Sequence, residues 1–190
     1  HALRWLARNR HGNRFCCGRY TGQTPTFRHN LQRVYERAEA RARIAARHDS
    51  LAERQGGVEQ GRFPPHRPHV PRPLGAEMLS RPEMTTYAPD VLITNFSMLN
   101  VMLMREDEGP IFDQTAEWLA RAREGHRLTL IIDEMPSYRG TAGTEVALLL
   151  RRFLHRIQVS PDQISVIGAS ASLGEDEREV RSYLSELTGR

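Results

Sequence analysis

The 190-residue sequence contains no lysine; all 27 of its basic residues are arginine. That excludes a phosphate-binding loop of the form G-x-x-x-x-G-K-[ST] within these residues, because the lysine reaches the β- and γ-phosphates. Cysteine is scarce. The two present, Cys16 and Cys17, are adjacent. Neighbours on a strand point to opposite faces, which disfavours a disulfide between them, and no second pair exists to complete a cysteine-rich zinc site. They read as buried strand residues of a protein kept in a reducing cytoplasm. Long apolar runs are also missing. None approaches the roughly 20 residues that span a bilayer, so no membrane partner is expected. A hydrophobic content of 39% and a mean hydropathy of −0.56 fit a globular chain. No signal-peptide pattern opens it. The first residue is His1, not Met, so the start is expected to be internal to a longer reading frame.

Charge is present but uneven. Residues 1–73 carry 15 Arg against 5 acidic residues, and residues 74–190 carry 12 Arg against 18. A basic half beside an acidic half suggests a polyanion contact on one side. An Arg-rich helix face that is simply solvated satisfies the same count.

The chain is organised around LTLIIDEMPSYRG at 128–140. The apolar run 128–132 has no polar break beyond a β-branched Thr, and reads as a strand buried on both faces of a parallel sheet. It ends in Asp133 and Glu134. Carboxylates at the C-terminal end of such a strand sit where open α/β sheets bind ligands. In nucleoside triphosphatases one such acid holds the metal and a neighbour orients the attacking water. A strand that merely stops at the solvent would look the same locally. A second apolar strand at 164–169 runs into Ser170, Ala171, Ser172 and Leu173.

The remaining elements alternate. Residues 2–11 read as the end of a helix, and 15–20 as a strand followed by Thr21 and Gly22. From 27 to about 48, Leu31, Val34, Tyr35, Ala38, Ala42 and Ala45 form one apolar stripe at helical spacing, with Arg33, Arg37, Arg41, Arg43 and Arg47 off or beside it. Residues 55–75 are rich in Pro, Arg and His and read as a surface loop or insertion. A short helix and turn are expected over 75–86 and a buried strand over 91–93. Thr94 and Asn95 follow, where small polar side chains contact a backbone phosphate or cap the next helix. A helix from Asp113 to about 124 is expected to turn Trp118, Leu119 and Ala122 inward. Val146, Leu149, Leu150, Phe153, Leu154 and Ile157 mark the clearest amphipathic helix. A last helix, with an acidic start, covers about 175–187. Strand–helix repetition with polar strand ends predicts an α/β parallel sheet with about four strands, fewer than a complete domain of this class holds.

A strand ending in Asp-Glu, then a helix, then a strand ending in Ser-Ala-Ser is the order of motifs II and III in superfamily 2 helicases. DVLITNFSMLN at 90–100, YRGTAGTEVALLLR at 138–151 and SASL at 170–173 resemble the DEAD/DEAH-box type, notably its large helicase-related branch. The resemblance covers most of the chain apart from about 48–75. It implies that residues 1–190 are a partial helicase ATP-binding domain, an incomplete RecA-like parallel sheet of the P-loop NTPase type flanked by helices. The N-terminal strand, phosphate loop and following helix would lie outside it.

The resemblance also implies roles. Asp133 holds Mg²⁺ and Glu134 positions or deprotonates the water that attacks ATP. Ser170, Ala171 and Ser172 match motif III, which couples the nucleotide site to nucleic acid and to the second RecA-like domain. Thr21 and Gly22 match motif Ib, and Thr94 and Asn95 match motif Ic, both contacts to a DNA or RNA backbone. Arg139 supports the nucleic-acid face. Pro136 departs from the pattern, which usually has His or Asp there. Proline has neither a polar side chain nor a backbone N–H, which puts the coupling of hydrolysis to strand movement in question. Two readings follow. One is a segment of an ATP-dependent helicase or translocase, inactive by itself. The other is a non-catalytic nucleic-acid-binding or scaffold remnant of a helicase.

Overall fold

The computed structural model describes residues 15–26, 30–54, 76–121, 125–133, 140–169 and 185. The elements expected over 2–11, 55–75 and, apart from residue 185, 175–187 lie outside them. The chain divides into two compact units, 1–95 and 96–190. Each is mixed α/β with short parallel strands and helices, as expected of a partial RecA-like fold.

The first unit contains β1 (Cys17–Arg19), α1 (Leu31–Arg54), β2 (Glu77–Met78), α2 (Arg81–Thr86) and β3 (Val91–Ile93). Its sheet has the order β2-β1-β3, with both pairings parallel. Parallel neighbours need crossover connections, and helices supply them here. Cys17 is buried in β1 as expected, whereas Cys16 lies just before the strand and is only half-buried, which corrects the expectation for it. The expected helix runs on to Arg54 rather than stopping near His48, because Asp49 and Ala52 continue the buried stripe of Ala38 and Ala45. Arg33, Arg37, Arg41, Arg43 and Arg47 are all exposed. β2 was not legible in the sequence, since a strand of two residues has no period to detect. α2 starts with a capping box. The Glu83 N–H donates to the Ser80 hydroxyl at 3.4 Å, and the Glu83 carboxylate accepts the N–H of Ser80 at 3.1 Å. The sequence signal for this is S-x-x-E.

The second unit contains α3 (Phe96–Met104), α4 (Gly109–Arg121), β4 (Leu128–Ile132), α5 (Gly140–Arg156), a 3₁₀ turn (Pro161–Gln163) and β5 (Ile164–Gly168). β4 and β5 pair in parallel from Leu128 with Ile164 to Ile132 with Gly168. The core joins Leu99 and Met102 of α3, Ile111, Phe112 and Leu119 of α4, and Val146, Leu149, Leu150 and Leu154 of α5. Phe112 and Phe153 meet edge to face, their centroids 6.2 Å apart. α5 ends as a Schellman motif. The N–H of Gln158 donates to the carbonyl of His155 at 3.1 Å, and that of Val159 to Leu154 at 3.4 Å.

Four expectations are corrected here. β3 is not a buried strand: Val91 and Leu92 are half-buried and Ile93 is 45% exposed. β4 is not buried on both faces: Ile131 is 67% exposed, and its register partner Ile167 is 52% exposed. The opposite face carries the burial, with Ile132 almost wholly enclosed. Trp118 is not inward either. It is 43% exposed and stacks on the His126 ring at 4.0 Å and 4°, while its neighbour Leu119 takes the core position. α4 also begins at Gly109, earlier than Asp113. Ala122 lies outside the described residues.

Candidate functional site

In the second unit, the parallel register brings the C-terminal ends of β4 and β5 level. Beyond the last paired residues, the N–H of Ala169 donates to the carbonyl of Ile132 at 2.8 Å. Asp133 is the next residue after Ile132 and is exposed; Ser170 is the next after Ala169. The described chain therefore leaves β4 at Asp133 and β5 at Ala169 on one end of the sheet. Gln163 supports the entry to β5. It is 2% exposed, its amide donates to the carbonyl of Leu119 at 2.8 Å, and its oxygen accepts from the Ser160 hydroxyl at 2.6 Å. This gives a donor to a carbonyl near the end of α4 as described, where helix carbonyls run short of partners within the helix. Glu134, Pro136, Arg139, Ser170, Ala171 and Ser172 lie outside the described residues.

Among the described residues no group of three or more His, Cys, Asp or Glu side chains is placed to hold a metal ion. Mg²⁺ does not need such a cage. It keeps several waters and is commonly held by one or two carboxylates together with substrate phosphates. An exposed carboxylate at a parallel strand's C-terminal end, as at Asp133, fits that mode.

In the first unit, β1 and β3 also end level. The N–H of Tyr20 donates to the carbonyl of Ile93 at 2.8 Å, and the Thr94 hydroxyl donates to the carbonyl of Tyr20 at 2.9 Å. Thr94 thus ties the strand ends together, and its hydroxyl proton is committed to the protein. Thr21 opens a turn in which the Thr24 N–H donates to the Thr21 carbonyl at 3.2 Å. Thr24 is buried; its hydroxyl donates to the carbonyl of Arg19 at 2.7 Å and accepts the N–H of Thr21 at 2.9 Å. Gly22 and Asn95 are exposed. The structure therefore brings Thr21, Gly22, Thr94 and Asn95 to one sheet edge.

Three contributors were not identified from sequence. Arg81 is only 8% exposed, and its Nη2 donates to the carbonyl of Thr21 at 3.0 Å. Its guanidinium lies over the Tyr20 ring, 4.5 Å from the centroid. The Tyr35 hydroxyl is 3.1 Å from that of Ser80, which fastens α1 to the start of α2. Burial raises the Tyr35 phenol above its ordinary pKa; the Ser80 hydrogen bond partly offsets this and Glu83 reinforces it. No periodicity announces Arg81, whose role depends on residues 60 positions away in sequence. Thr24 carried a weak signal as the last residue of a Thr-x-x-Thr turn.

Among the described residues, no helix is long and apolar enough to cross a membrane. No protein-family model matches the chain, and no solved structure matches it. A stretch of 120 residues is 45% identical to Druantia protein DruE from Escherichia coli (strain UMEA 4076-1). That stretch makes up 63% of this chain and 6% of DruE, so the chain spans a small fraction of that relative's length.

Proposed function

We propose that the chain is part of the first RecA-like domain of an ATP-dependent nucleic-acid helicase or translocase, and that it contributes the hydrolytic carboxylates and part of the nucleic-acid path. The observation that carries this reading is the hydrogen bond between Ala169 and Ile132. It holds level the ends of β4 and β5, the strands that precede Asp133 and Ser170 in sequence, which supports coupling between motifs II and III. The level ends of β1 and β3, with Thr21 and Thr94 adjoining, support the nucleic-acid half. The likeness to the far longer DruE supports a parent chain with more domains than this segment.

In this reading Asp133 anchors Mg²⁺, and Glu134 orients the attacking water and takes its proton. The metal's chemical contribution is to neutralise charge on the β- and γ-phosphates. Ser170 and Ser172 carry the nucleotide state toward the bound strand. The Gly22 main chain approaches a phosphate, giving grip without base readout. The phosphate loop and the second RecA-like domain belong to the parent.

The test has two arms. The 190-residue chain should show no measurable Mg²⁺-dependent ATPase; clear turnover would sink this account of the site. The coding DNA upstream of His1 should hold an in-frame G-x-x-x-x-G-K-[ST] after a buried strand. In that longer protein, Glu134→Gln should lower ATP hydrolysis by about a hundredfold or more. A frame without a phosphate loop would instead favour the non-catalytic remnant, whose nucleic-acid binding should fall steeply with salt.

A further inference from the structure

Gly22 follows Thr21 in the turn at the end of β1. It is exposed, and its N–H makes no hydrogen bond among the described residues. Its φ lies outside the left-handed region, and a Cβ built on it would meet nothing within 4 Å. Neither backbone conformation nor packing within the described residues requires glycine here. What glycine leaves is bare main chain facing outward, open to close approach by a ligand.

Arg81 stands behind this turn. Its guanidinium bonds the carbonyl of Thr21, and that carbonyl shares a peptide unit with the Gly22 N–H. A donor on the carbonyl oxygen polarises the N–H at the other end of the same peptide, because hydrogen bonds in series strengthen one another. The charge is buried, so salt screens it less than it would an exposed arginine. The Arg81 stem also packs beside the Tyr20 ring, a contact that an unbranched apolar side chain keeps in part; what arginine adds at this position is its charge and its bond to Thr21.

We propose that Arg81 is a positioning residue that gives the Thr21–Gly22 turn its affinity for an anionic oxygen, a phosphodiester of single-stranded nucleic acid, without touching the ligand. This rests on the nucleic-acid reading above. It adds that part of the positive potential at the strand path comes from inside the unit.

The test uses the 190-residue chain and a fluorescent oligothymidine, with affinity read by anisotropy across a salt series and folding read by thermal melting. Arg81→Met should melt cooperatively yet bind about tenfold more weakly at a given salt, equally for mixed-sequence strands. Arg81→Lys should recover much of the loss. Wild-type affinity in a folded Arg81→Met overturns the inference and leaves the nucleic-acid reading standing. A wild-type chain that binds no strand overturns that reading and the inference with it. If Arg81→Met does not fold, the wild-type Gly22 amide resonance decides. It should shift as oligothymidine is added; an unmoved signal overturns the inference.

Discussion

The N–H of Ala169 reaches the carbonyl of Ile132 at 2.8 Å, one step past the paired register of β4 and β5. This bond holds level the two strand ends from which the proposed hydrolytic and coupling residues emerge. Proline at 169 would remove the donor and crowd the neighbouring strand. We expect Ala169→Pro to destabilise the chain by about 1–3 kcal/mol, measured by urea unfolding. Slow hydrogen exchange at the Ala169 amide in the wild type is the companion observation.

Gly18 and Gly22 should respond oppositely to alanine. A Cβ at Gly18 would lie 2.6 Å from the sulfur of Met84, itself fully buried. Gly18→Ala is therefore expected to cost about 1–3 kcal/mol through overpacking. Gly22→Ala meets open space and should leave stability unchanged or raise it by up to about 1 kcal/mol, by restricting the unfolded chain. Its effect should appear instead as weaker binding of single-stranded oligonucleotide. Melting curves and anisotropy on the two variants check this directly.

Gln163 is a buried polar residue with a specific task. Gln163→Leu keeps approximate volume but leaves the buried carbonyl of Leu119 without its amide donor. The expected loss is about 1–3 kcal/mol. A stability equal to wild type in urea would show that another donor or water serves that carbonyl.

Gln158 adopts a left-handed conformation, with φ 52°, at the position after the helix cap where glycine is usual. Gln158→Gly removes the Cβ penalty and should stabilise the second unit by about 1 kcal/mol. A rise in melting temperature reports it; an unchanged or lower value would mean that the Gln158 side chain makes a compensating contribution.

The fold was legible where burial repeats locally. Leu149, Leu150 and Leu154 recur at helical spacing because one face of α5 meets the core. The runs before Asp133 and Ser170 read as strands because β-branched residues cluster between turn signals. Even Thr21 and Thr94 could be picked out as polar residues at strand ends. Local pattern says nothing about which partner covers a face, so the exposure of Ile131 and Trp118 was misread. Nor does it detect a strand as short as β2, whose existence depends on an edge offered by β1.

The sequence alone determined the order of the helices and of the strands other than β2, the absence of a lysine-bearing phosphate loop within these residues, and the acids and hydroxyls at strand ends, because these depend on residue type and spacing. Tertiary structure decided which ends lie together. Register made Ile132 and Ala169 neighbours, and a long-range contact brought Arg81 beneath the carbonyl of Thr21. Hydrogen bonds between distant segments form only once the chain has folded, so the electrostatics of the Thr21–Gly22 turn are a property of the packed unit rather than of any local stretch.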